Sequence, residues 1–309
     1  MKKPIIIDCD PGIDDAIALY MAFAEESLDV RAITPVAGNQ TIDKTLKNAL
    51  QLVSYLGADV KVSPGADKPL LKELVTAPLV HGESGLGNIV LPETDKQPYE
   101  KMAWDTIYEE AVLNEGKLNI IAMAPLTNIA LTILKYPDIV NKIERITLMG
   151  GSAGLGNDSP AAEFNILVDP DAASIVFNSG IPITVVGLDV THKALVYKEE
   201  LEQLQKLKGD RCKVATDLIQ WIYDFCIDFG FEGATMHDPF AVAAFIDPSL
   251  LISKKYHVDV ETKGEFTKGK TVVDIYNVTG KKANTDFGVD IDREGFIKLL
   301  TRLISSYEA

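Results

Sequence analysis

The chain is poor in the residues that several common functional devices need. It has only three cysteines, Cys9, Cys212 and Cys226, too few and too scattered for a disulfide framework or a zinc site, so inert buried thiols are expected. Basic residues are outnumbered, 30 Lys+Arg against 45 Asp+Glu for a net charge of −15. That balance removes the basic face that nucleic-acid or anionic-membrane binding requires. No apolar run approaches the ~18 residues of a membrane span. The start, MKKPIIIDCD, reaches an aspartate after three isoleucines, without the long apolar region of a secretory signal. Internal repeats, low-complexity tracts and linker-like stretches are also lacking. Together these absences point to a soluble protein of a reducing compartment, hence cytoplasmic.

What is present is a globular α/β pattern. A hydrophobic fraction of 47% over 309 residues excludes disorder and supplies a large core. Short β-branched runs alternate with longer helical stretches. Lys3–Cys9 reads as a buried strand, 14–25 as the following helix, 30–36 as a strand and 41–56 as a helix with Thr41 as its cap. The rhythm returns with strands at 118–123, Ile143–Met149 and 183–188, and with helices from about Thr127 and over 170–178. Apolar strands joined by crossover helices predict an open, mostly parallel, Rossmann-like sheet with helices on both faces. The glycine-rich segment after Met149 lacks the G-x-G-x-x-G of a dinucleotide site. Residues 64–99 form a long proline-dotted loop containing HGESGLG, a length that is often functional. Past Lys198 a helix over 210–229 and an antiparallel pair over 256–262 and 271–276 elaborate what reads as one domain, 1–309.

The chemistry concentrates where that sheet ends. DCDPGIDD places Asp8, Asp10, Asp14 and Asp15 at the close of the first strand, and open parallel sheets bind ligands outside the carboxyl ends of their strands. Asp8 and Asp10 share a face through the two-residue strand period. Asp14 and Asp15 open a helix, where an aspartate can be no more than a cap. Four carboxylates in eight residues ask for more, because two unit charges about 4 Å apart at an effective dielectric of ~20 repel by about 4 kcal/mol. Such a cluster protonates, splays into solvent or holds a hard cation, and calcium accepts irregular all-oxygen ligation. A DxD at a first strand end also suits a magnesium-dependent phosphohydrolase with an aspartyl nucleophile, although the downstream lysine and acidic pair which that class needs do not stand out. Other strand and helix ends add Asn39 in VAGNQT, Met123 before Pro125, where the break would leave the Met123 carbonyl free, Asn157, Glu163-Phe164-Asn165, and His237-Asp238 at a helix start. Each has a bland alternative: Asn39 as a turn residue, Asn157 as a left-handed loop residue, Phe164 as core, His237 as a backbone cap. His192 reads as structural and His257 as a strand or surface residue.

In this order and spacing, DCDPGIDD, VAGNQT, HGESGLG, MAPLTN, MGG followed by GN, AEFN, HDP, TVVD and ANTDFGVDID resemble the calcium-dependent nucleoside hydrolases of the inosine–uridine-preferring type, across nearly the whole chain. The resemblance implies a homodimer or homotetramer that takes a ribonucleoside as substrate. It implies Ca²⁺ held by Asp10, Asp15, Asp238 and the Met123 carbonyl. Asp10 would act as general base on the attacking water and His237 as the acid for the departing base. Asp14, Asn39, Asn157, Glu163 and Asn165 would hold the ribose, with His81 in the base pocket and Phe164 packed against sugar or base. Family members often carry tyrosines on the helix before HDP. Here the stretch reads WIYDFCIDFGFEG, so Trp221, Tyr223, Phe225 and Phe229 are the candidate base-closing aromatics. Besides the phosphohydrolase, a non-catalytic nucleoside-binding protein is the remaining alternative.

Overall fold

The computed structural model describes residues 2–308. Among them an eight-stranded sheet forms the spine. In chain order its strands are β1 (Lys3–Cys9), β2 (Leu28–Pro35), β3 (Lys61–Val62), β4 (Leu118–Ala122), β5 (Ile143–Met149), β6 (Ile183–Val186), β7 (Leu251–Tyr256) and β8 (Thr285–Ile291). They lie in the order β3-β2-β1-β4-β5-β6-β8-β7. All neighbours are parallel except β8 and β7. The order reverses between β1 and β4, and such a switch point leaves a crevice at the carboxyl ends of those strands.

The apolar runs explain the layering. β1 carries Ile5, Ile6 and Ile7 with no exposed surface, and Ile120 and Ile121 are likewise buried in β4. Side chains alternate between faces, so Ile5 and Ile7 enter one core with the helices Ile13–Ala24 and His237–Ile246, while Ile6 enters the other with Ile120, Ile146 and Ile183. The helix Ile42–Tyr55 starts after Thr41 as expected, but the threonine side chain makes no capping bond.

Three features depart from the sequence reading. The proposed ribbon at 256–262 and 271–276 is shorter, Val258–Val260 against Thr271–Val273, because Tyr256 ends β7. The strand β8 slots into the main sheet between β6 and β7, and the helices Ala103–Leu113 and Arg293–Ser305 complete the layers. No helix among the described residues is long and apolar enough to cross a membrane.

Candidate active site

Asp10 stands one residue past β1, where Pro11 and Gly12 turn the chain into the helix Ile13–Ala24. The turn is held by Asp15. Its Oδ1 accepts the Asp10 amide at 3.1 Å, and its Oδ2 accepts the Gly12 amide at 2.9 Å and Asn39 Nδ2 at 3.1 Å. The capping role considered for Asp14 therefore falls to Asp15, which at the third helical position can reach back to the orphan amides. Asp10 Oδ2 accepts the Asn39 amide at 2.6 Å, while Asp10 Oδ1 is buried with no hydrogen-bond partner. Gly38 makes this approach possible, since a Cβ there would lie 2.1 Å from Asp10 Oδ2.

Carboxylate oxygens of Asp14, Asp15 and Asp238 come within 4.8 Å of one another. Asp10 lies outside that trio, joined to it through Asp15. Burial, reinforced by Asp14, pushes Asp15 up to about 7. Asp10 and Asp238 are driven well above the ordinary carboxylate range, again by burial first and then by their acidic neighbours. No lysine or arginine is among the residues lining the adjoining cavity. Buried charges of one sign without a counter-charge, together with an orphaned carboxylate oxygen, are the donor set of a hard cation. The Met123 carbonyl is less free than the proline break suggested. It accepts Asn165 Nδ2 at 3.1 Å, as a buried carbonyl must find a partner, and one lone pair remains for a ligand.

The cavity, of about 390 Å³, is lined by Asp14, Asn39, His81, Met123, Asn157, Glu163, Phe164, Asn165, His237 and Asp238 among others. Asp10 and Asp15 lie fully buried beneath it. Glu163 caps the helix Phe164–Val168 with one oxygen on the Asn165 amide, and its other oxygen accepts the Gly151 and Ile166 amides. Burial nevertheless raises it to about 7. Asn157 Oδ1 accepts the Phe164 amide at 3.0 Å, tying the glycine-rich loop to that helix.

The opposite wall is aromatic and imidazole-rich. His81 Nδ1 accepts the Ile13 amide at 3.1 Å. Burial holds its pKa down, so the neutral ring carries its proton on Nε2. His237 Nδ1 pairs with Thr191 Oγ1 at 2.8 Å, and burial presses its pKa down to about 4 against the pull of Asp14. Trp221, Phe225 and Phe229 line the cavity, joined by Phe231; Tyr223 packs against the core instead.

The cavity wall holds two residues not expected there. His192, read as structural, lines the cavity with its ring edge-on to His237 (5.7 Å between centroids) and Phe231 (5.2 Å). Cys226 is free and buried in the core as expected, and it also borders the cavity, its Sγ 3.2 Å from Thr235 Oγ1. No residue pattern separates these from core positions; only the aromatic clustering around HDP hinted at this wall. The phosphohydrolase alternative loses its nucleophile. Asp8 is fully buried, accepts Thr34 Oγ1 at 2.6 Å and Asn128 Nδ2 at 2.9 Å, and is not among the lining residues. An acidic cavity also repels phosphate.

Fold and site thus define an α/β hydrolytic pocket with an acidic floor and an aromatic wall. Residues 5–298 match the model of the inosine-uridine preferring nucleoside hydrolases, and the chain belongs to that family. It is an N-glycosyl hydrolase of ribonucleosides. Over 310 aligned residues it is 45% identical to the pyrimidine-specific ribonucleoside hydrolase RihA of Escherichia coli K12, covering 99% of this chain and 100% of the relative. Among solved structures, the plant nucleoside hydrolase PpNRh1 superposes with a TM-score of 0.93 at 33% identity, covering 99% of this chain and 100% of that one. The purine-preferring ribonucleoside hydrolase from Gardnerella vaginalis gives 0.93 at 30%, covering 99% of each.

Proposed function

We propose that the chain hydrolyses ribonucleosides with calcium as its resident metal, held by Asp10, Asp15, Asp238 and the Met123 carbonyl. The observation that carries this is the set of converging buried carboxylates beside an unpartnered Asp10 Oδ1, facing an imidazole and aromatic wall across one cavity. When bound, the cation supplies a Lewis acid for the ribose diol and for the attacking water. Asp10 takes the proton from that water as its oxygen attacks C1′. Asp14 and Glu163 add negative charge around a ribosyl group that becomes cationic as the C1′–N bond breaks. Asn39, whose amide is committed to Asp15, offers its oxygen to the sugar, as does Asn165, whose amide is committed to Met123. Asn157 and Phe164 close the sugar side, and His81 offers Nε2–H to the base. His237 gives its Nε2 proton to the departing base, which takes the electrons of the broken bond.

The 45% identity to pyrimidine-specific relatives, against 30% to a purine-preferring one, supports uridine and cytidine as the preferred substrates. The reading includes a cytoplasmic homodimer or homotetramer, compatible with three free, buried cysteines. A base-release assay across uridine, cytidine, inosine, adenosine and guanosine, with and without chelator, tests it. Calcium-dependent release led by the pyrimidines is the expected result. Purine-led release overturns the base preference, and turnover unaffected by chelator overturns the metal.

A further inference from the structure

The leaving-group histidine is held by a segment that the proposed mechanism does not use. The short helix Leu188–Thr191 follows β6. Asp189 accepts the Ala153 and Gly154 amides at 2.8 and 3.1 Å, and the Leu188 amide donates to the Gly151 carbonyl at 2.9 Å. That pins the helix to the loop carrying the sugar-side residues. Beyond it, Leu195–Val196 pairs antiparallel with Ala234–Thr235, and the Met236 amide donates to the Ala194 carbonyl at 3.0 Å. The segment therefore fixes where the helix His237–Ile246 begins. Between these anchors, fully buried Thr191 has His237 Nδ1 as the one partner of its hydroxyl among the described residues. The next residue, His192, sets its ring edge-on to the same imidazole.

From this, the geometry points to Thr191 as a positioning residue for leaving-group protonation. Its hydroxyl occupies Nδ1, and Nε2 is left as the nitrogen that serves the base. In the acid form Nδ1–H donates to Thr191 Oγ1 and Nε2–H faces the leaving nitrogen. The Nε2 proton passes to the base as the C1′–N electron pair moves onto it, and the neutral ring keeps its remaining proton on Nδ1. The hydroxyl thus does two things: it fixes the plane of the ring, and it selects which nitrogen reacts. This rests on the hydrolase reading and on His237 as its acid.

The test compares Thr191→Val, a near-isosteric loss of the hydroxyl, with Thr191→Ser, which keeps it. Each is measured on uridine and on 4-nitrophenyl riboside, whose phenolate leaves without a proton. Thr191→Val is expected to lower kcat on uridine on the order of tenfold to a hundredfold, a usual range for residues that orient a reacting group. KM should stay within about twofold, the nitrophenyl riboside should be spared, and Thr191→Ser should recover most of the loss. In a His237→Ala background Thr191→Val should add nothing, since the two groups act as one unit. Equal losses on both substrates, a Thr191→Ser variant as impaired as Thr191→Val, or full activity of Thr191→Val on uridine would each overturn the assignment. A wild-type protein that cleaves neither riboside would instead overturn the hydrolase reading.

Discussion

Asp238→Asn should change stability in opposite directions with and without metal. Oxygens of Asp14, Asp15 and Asp238 lie within 4.8 Å, so each ionised pair repels by at least about 3.5 kcal/mol at an effective dielectric of ~20. Proton uptake by the raised carboxylates relieves part of this, leaving a net gain of roughly 1–2 kcal/mol when one charge is deleted. Asp238 accepts no side-chain hydrogen bond among the described residues, so the amide strands no donor and can itself donate to a neighbouring carboxylate. For a chain of 309 residues each kcal/mol moves Tm by roughly 1.5 °C. Calorimetry in chelator should therefore show the variant melting about 1.5–3 °C above wild type. In calcium at about a hundred times its Kd, wild type gains about 2.7 kcal/mol and the variant little. The metal-free wild type should also lose stability as pH rises from the ordinary carboxylate range to about 7. The raised pKa values mean that the native state binds more protons than the unfolded chain there. An equal fall in Tm for Asp238→Asn in both conditions would refute the cation site.

Three further outcomes are expected. Asp10→Asn should cut kcat by about 10²–10⁴-fold, the contribution of a general base, while calorimetric titration still detects nucleoside binding. Glu110→Gln should destabilise the fold by roughly 1–3 kcal/mol at neutral pH, discounted because Lys61 and Arg31 are partly exposed. Although burial raises the Glu110 carboxyl, those two cations outweigh it and hold the pKa low, so the difference from wild type should be present above about pH 4.3 and shrink as pH falls further. Gly87 has φ +60° and a Cβ there would lie 2.7 Å from Trp221 Cδ2. Gly87→Ala should therefore shift that ring and raise KM for uridine roughly fivefold, about 1 kcal/mol, with kcat little changed.

The parts of this molecule that could be read from its sequence are those encoded locally. The isoleucine run of β1 and the proline-glycine turn after Asp10 announce a strand end, and the following carboxylates can be placed on it by residue period alone. The strand β8 escaped because its neighbour β7 is largely exposed, reading LISKKY, so neither shows the apolar run of a central parallel strand. His192 and Thr191 escaped for a different reason. Their relation to His237 is made by tertiary contacts across some 46 positions of sequence, and nothing in GLDVTHK distinguishes a cavity wall from a buried turn. The partial occupation of the Met123 carbonyl by Asn165 likewise depends on a helix that arrives 42 residues later.

The most direct measurement is the release of ribose and free base from uridine by chelator-treated protein before and after calcium is restored. Turnover should vanish on stripping and return with the ion, with no phosphate liberated from uridine monophosphate. Undiminished cleavage in the stripped protein, or phosphate as the product, would contradict calcium-dependent nucleoside hydrolysis.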